Sequence, residues 1–156
     1  MSFPENLARP MIAGMFIYGG LDSLRRPVSK VPAAEVVVDG VSEKTGMDIE
    51  QLVKINGAVQ VAAGTALALG IFPRPAALAL AASLVPTTLA GHRFWEAEGE
   101  AKPQQTIHFL KNLAMFGGLV IAANSTGGRP SLPWRARRAV HRASETAGEA
   151  IQQLHP

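Results

Sequence analysis

The chain contains no cysteine and little charge: Asp, Glu, Lys and Arg supply 17% of its 156 residues, against about 25% in an ordinary globular domain. The missing thiols exclude structural disulfides, a C-x-x-C redox pair, thiolate zinc sites and cysteine-ligated iron–sulfur clusters. Any redox chemistry has to be borrowed from a bound molecule or a partner. What replaces charge is hydrophobicity, at 47% of residues with a mean hydropathy of +0.14, in a chain that also spends 11 positions on Pro and 15 on Gly. Loops are where polar residues normally gather, so so apolar a chain points to surfaces that face lipid. The net charge of +3 is too small to imply nucleic-acid binding.

Four stretches approach the about 20 apolar residues that a bilayer requires. The first is 7–24, with Asp22 near its end. The second is 48–72, opening on Asp48-x-x-Gln51, the side-chain pair of a helix start. The third, 75–91, follows the Phe72-Pro73-Arg74-Pro75 break and contains Pro86, which is expected to kink it and free a carbonyl. The fourth, 106–123, carries Lys111 and Asn112 in its first turns and stops at Asn124. The expected fold is all-α, an integral-membrane four-helix bundle over 7–123 followed by a basic amphipathic helix in a tail, 124–156. The sequence leaves the structure of residues 25–51 open, with VPAAEVVVDG suited to a short strand-like or an interfacial piece. A soluble four-helix protein is the competing fold, but it needs a charged outer face on every helix. Val61–Phe72 and Ala76–Ala90 contain no charge at all. No small-x-small cleavage signal precedes Arg25-Arg26, so the first stretch is expected to be retained. Arg9, Arg74 and the Arg cluster after the fourth stretch lie close to spans, which predicts both termini on the cytoplasmic side of the cell membrane.

Polar side chains at membrane depth are costly unless they face a partner, so they mark the inside of the bundle. Asn56 and Gln60 are one turn apart, with Gly64 continuing the stripe. His108, Lys111, Asn112 and Met115 form a second stripe, and His92 and Arg93 end the third helix on the same side of the membrane. Interhelical packing alone accounts for amides in such places, and snorkelling for Lys111. The functional reading joins Asn56, Gln60, His92, Arg93, His108, Lys111 and Asn112 into a polar pocket for a lipid headgroup or a quinone. Ring carbonyls would accept from His, Lys or Asn, and Phe94, Trp95 and Phe109 would wall the pocket. No metal site is expected. Gly14, Gly19, Gly20, Gly57, Gly64, Gly117 and Gly118 suit close helix approach. Arg9, Trp134, Arg135, Arg137, Arg138 and Arg142 are candidates for contact with lipid headgroups or a partner protein, and Arg9 is either a surface anchor or the partner of a carboxylate or lipid phosphate.

LARPMIAGMFIYGGLDSLRRP, NGAVQVAAGTALALGIFPRPAALAL, LVPTTLAGHRFWE and QTIHFLKNLAMFGGLVIAA together resemble the DoxX family of bacterial four-span membrane proteins in its actinobacterial form, over residues 7–138. The resemblance implies a cytoplasmic-membrane bundle linked to redox complexes: a quinone-coupled oxidoreductase subunit in some members, association with superoxide dismutase and a sulfurtransferase in others. It supplies no active site, and the C-x-x-C chemistry of thiol-oxidising relatives cannot be carried over. The expected function is a small subunit of a redox or oxidative-stress membrane complex with a quinone or lipid pocket, not catalytic alone. The alternative is a scaffold or assembly factor that recruits protein partners through its tail and outer segments. Membrane lipids, other subunits and a second copy of the chain are the expected partners.

Overall fold

The computed structural model describes residues 3–125 and, further on, residues 137–138, 140–142 and 144. Among these the fold is all-α. The compact unit Ser2–Ser125 contains α1 (Phe3–Arg25), a 3-10 turn (Pro27–Lys30), α2 (Val31–Thr45), α3 (Ile49–Ala68), α4 (Pro73–Gly91) and α5 (Ala101–Asn124). Helix α1 packs on α3, α3 on α4, α4 on α5, and α5 returns to α1, while α2 lies against α3 and α4. The four expected long helices are present.

Residues 31–45 correct the strand-like reading. Three consecutive valines, Val36 to Val38, favour a strand, yet the segment is helical. Pro32 sits in its first turn, where a missing N–H costs nothing, and Gly46 closes it at φ 69°. Ala33, Ala34, Val38 and Val41 recur at helical spacing and line one side of a space shared with α3 and α4. Tertiary contact decides the conformation there, over intrinsic preference.

The remaining boundaries follow local chemistry. Asp48 caps α3 as its sequence predicts, and Gln51 Oε1 accepts the Asp48 N–H at 3.3 Å. At the other end of α3, Gly70 takes φ 70°, Ile71 N–H reaches Ala66 O at 2.8 Å and Gly70 N–H reaches Leu67 O at 3.1 Å. This is a Schellman closure, which ends the helix before the proline pair. Helix α4 continues through Pro86 to Gly91.

The bundle is divided along its length. Toward the α3–α4 turn, Ala13, Phe16, Leu67, Ala77, Leu80, Leu84 and Leu119 form an apolar core. Toward α2, polar side chains and a cavity take its place. The α1–α3 contact is a glycine crossing. A Cβ on Gly20 would stand 2.6 Å from Gly57 O, and one on Gly57 would stand 2.9 Å from Gly20 O. Gly64 belongs to this crossing, against Ala13 and Ile17, and Gln60, one turn earlier on the same face, meets α1 at Gly19 and Gly20. Gly14 and Gly117 face open space.

The outer faces are apolar. Leu7, Met11, Met15 and Tyr18 on α1, Leu78, Val85 and Leu89 on α4, and Ile107, Leu110, Leu113, Val120 and Ile121 on α5 are all exposed. Among the described residues one helix, α5, is long and apolar enough by composition to cross a membrane. In α3 the polar residues Lys54, Asn56 and Gln60 lower the average, and in α4 the opening Pro-Arg-Pro does so, although the large exposed side chains of α4 are apolar.

Of the tail, residues 137–138, 140–142 and 144 are helical and exposed, and Ser144 Oγ donates to His141 O at 2.7 Å. Arg137, Arg138 and Arg142 fall within this helical stretch. Trp134 and Arg135 lie outside the described residues.

Candidate functional site

Two adjacent threonines organise the polar half of the bundle. Inside α4, Thr87 returns its hydroxyl proton to Ser83 O at 2.8 Å, and Thr88 returns its own to Leu84 O at 2.7 Å. Each oxygen is thereby left as an acceptor. Consecutive residues point about 100° apart around a helix axis, so the two oxygens face different neighbours. Thr87 receives Asn56 Nδ2 at 3.2 Å and Gln60 Nε2 at 3.3 Å from α3. Thr88 receives Asn112 Nδ2 at 3.0 Å from α5. Gln60 also donates to Ser83 Oγ at 2.9 Å. Gln60 and Asn112 are each 5% exposed, so these bonds form largely out of contact with solvent.

Beside the Thr87 network lies a cavity of about 700 Å³. Its walls are aliphatic: Ala33, Val38 and Val41 from α2, Leu52 and Val59 from α3, Ala79 and Ala82 from α4. Its polar floor is Asn56, Gln60, Ser83 and Thr87. At one end stand Asp22 and Lys30, ion-paired at 2.7 Å, and at another His92. The size suits a small amphiphile, and the lining, mostly apolar with a few convergent polar groups, is the usual make-up of a ligand site.

The seven polar residues singled out in the sequence therefore divide. Asn56, Gln60 and His92 meet at the cavity. Asn112 lies across α4 from it, tying α5 to Thr88. His92 and His108 stack with ring centroids 5.0 Å apart, and His92 Nδ1 lies 3.0 Å from Gln105 Oε1. Arg93 turns to Glu96 at 3.0 Å, on a separate, smaller depression. Lys111 is half-buried and joins none of the ion pairs among the described residues. The aromatic residues do not wall the cavity. Phe94, Trp95 and Phe109 pack edge-to-face on one another, with Phe94 and Phe109 centroids 5.1 Å apart, because the short α4–α5 connection folds them together.

Of the two readings of Arg9, the structure shows a carboxylate beside it rather than surface anchoring. Arg9 does not face outward toward headgroups but is 6% exposed, with Glu5 one turn earlier at 3.8 Å. Glu5 in turn accepts from Ser125 Oγ at 2.5 Å, at the end of α5.

Ser83, Thr87 and Thr88 escaped the sequence reading because hydroxyls are common in apolar helices. The signal was present: Ser83 and Thr87 are one turn apart, opposite an amide pair with the same spacing. A consequence can be measured. Thr88→Val preserves shape but leaves the Asn112 amide without its acceptor, and should lower stability in detergent by about 1 kcal/mol. An unchanged thermal midpoint would show that this bond contributes nothing.

Comparison with known proteins adds a family. The DoxX family model matches residues 6–93, which is α1 to α4 and includes every residue lining the cavity. The likeness read over 7–138 is thus shown for its first part, and α5 lies beyond the match. The chain is similar to inner membrane protein YphA of Escherichia coli (strain K12), 31% identical over 77 residues, or 49% of this chain and 55% of that one. The chain thus spans about half the length of that relative. No solved structure matches it. With a matched segment covering more than half of its length and apolar outer helix faces, the chain belongs to the DoxX family of membrane proteins.

Proposed function

We propose that the protein is a small multi-pass subunit of a cell-membrane redox or oxidative-stress complex, and that its cavity holds a neutral amphiphile, a quinone or a lipid. The observation that carries this reading is the cavity itself: aliphatic walls on α2, α3 and α4 above a floor of amides and hydroxyls. A charged headgroup would find one satisfied ion pair there, Asp22–Lys30, and no spare counter-ion on the floor, so a neutral head fits best. In this reading α1, α3, α4 and α5 cross the bilayer, and α2 lies at the outer leaflet. Both termini are cytoplasmic, where Arg74 and the tail arginines meet anionic lipid. Support for several spans comes from the exposed apolar residues of α1, α4 and α5 and from the burial of Gln60 and Asn112. The protein is not catalytic alone. With no thiol in the chain, electrons travel on the bound molecule or a partner subunit.

The test is extraction. Protein purified in mild detergent is analysed for co-purifying quinones and lipids by mass spectrometry. Wild type should carry one such molecule near stoichiometry. Gln60→Leu should deplete it, whereas Thr88→Val, on the far side of α4, should retain it. An empty wild-type extract, with partner pull-down unaffected by Gln60→Leu, would replace this reading with that of a scaffold.

A further inference from the structure

Hydrogen-bond accounting on the cavity floor restricts the ligand further, given the proposed occupancy by an amphiphile. A threonine hydroxyl has one proton and two lone pairs. At Thr87 the proton goes to Ser83 O at 2.8 Å, so Oγ1 can only accept, and it faces the amides of Asn56 and Gln60. An amide that meets an obligate acceptor must present its NH2 end. Thr87 therefore fixes which way both amides point.

The consequence is sharpest at Gln60. Its Nε2 has two hydrogens, one toward Thr87 Oγ1 and one toward Ser83 Oγ at 2.9 Å, so its donors are spent. Oε1 is what remains, and it receives no hydrogen bond among the described residues. It lies 3.7 Å from where a Cβ on Gly19 would stand, and both residues line the cavity. Asn56 is balanced, with Oδ1 and one N–H left over. Ser83 Oγ accepts from Gln60, and its own proton has no acceptor among the described residues, so the floor offers a hydroxyl donor beside the Gln60 Oε1 acceptor. A head that both donates and accepts is the one that meets both. A ligand offering only carbonyl oxygen can accept from Ser83 or Asn56 but leaves Oε1 of Gln60 unmet, at a residue 5% exposed where an unmet acceptor is costly.

We infer that the cavity selects an amphiphile whose head donates a hydrogen bond to Gln60 Oε1, a neutral hydroxyl compound in preference to its carbonyl or ester counterpart. For a redox pair this means that the hydroquinone binds more tightly than the quinone. For a lipid it means a free glycerol hydroxyl.

Two probe pairs test this and separate the sources: a decyl-chain benzoquinol against its benzoquinone, under anaerobic conditions, and monooleoylglycerol against methyl oleate. Binding to the full chain in detergent is measured by calorimetry. The hydroxyl member of the pair that binds should be favoured about tenfold, the yield of one well-placed hydrogen bond. Preference within the quinol pair assigns a ring ligand, and preference within the glyceride pair assigns a lipid. Gln60→Met keeps the side-chain length and removes the acceptor, so the preference should fall to near parity. The double variant Ser83→Ala/Thr87→Val frees the amide to turn over and should do the same. Should that variant fail to fold, Gln60→Met decides. Equal or tighter binding of the carbonyl members to wild type overturns the inference, as does a preference that survives Gln60→Met. No binding of any of the four probes removes the underlying reading of the cavity together with it.

Discussion

Gly57→Leu is expected to abolish accumulation of folded protein in the membrane fraction, and Gly57→Ala to lower the thermal midpoint in detergent sharply. At this position α1 and α3 touch backbone to backbone. A new Cβ would meet Gly20 O at 2.9 Å, Ser23 Cβ at 3.1 Å and Leu24 Cγ at 3.3 Å, and Gly20 is tighter still. A carbonyl oxygen inside a helix cannot rotate away as a side chain can, so the helices must separate. Overpacking of this kind costs about 3 kcal/mol, and more for leucine. In the proposed bilayer-spanning arrangement no hydrophobic drive restores the contact, because lipid tails are as apolar as the helix surface. The controls carry the opposite sign. Gly14→Ala and Gly117→Ala place a methyl in open space and gain about 0.5–1 kcal/mol of helix propensity. Equal midpoints for Gly57→Ala and Gly14→Ala would refute the crossing.

The second large effect concerns the buried cation near the start of α1. Arg9 is 6% exposed, and its Nη1 is buried with no hydrogen-bond acceptor among the described residues. Its ion pair with Glu5 is long, at 3.8 Å, so the carboxylate acts mainly as a nearby counter-charge. Glu5→Gln removes that charge while keeping an oxygen for Ser125, and should cost about 2–4 kcal/mol, since it strands a cation away from water. Adding Arg9→Met to Glu5→Gln should recover most of the loss, because two neutral side chains of similar volume need no desolvated charge. Thermal melts of the three variants close the cycle. If Glu5→Gln melts with the wild type, the Arg9 charge is not dependent on Glu5.

Both results turn on features with different visibility in the sequence. Glycines at 14, 19, 20, 57, 64, 117 and 118 all look suited to packing, yet Gly20, Gly57 and Gly64 form the α1–α3 crossing while Gly14 and Gly117 face open space. A lone Arg9 just before an apolar run reads as an interface anchor. Its burial depends on how the bundle closes around Glu5 and the end of α5, which no local pattern encodes.

Composition and periodicity alone determined that this chain is helical, that four long apolar stretches make up most of residues 7–123, and that Asn56, Gln60 and Asn112 turn inward. Those outcomes follow from a cost paid residue by residue, the burial of polar groups, which any helical arrangement must respect. Tertiary structure decided the rest. It made 31–45 a helix because its small and β-branched residues found α3 and α4 to cover, and it set Thr87 and Thr88 to serve opposite neighbours. It also gathered Asn56, Gln60 and His92 at one cavity while sending Asn112 and Arg93 elsewhere. Which side of a helix meets which neighbour is a property of several helices at once, so it appears only when they pack.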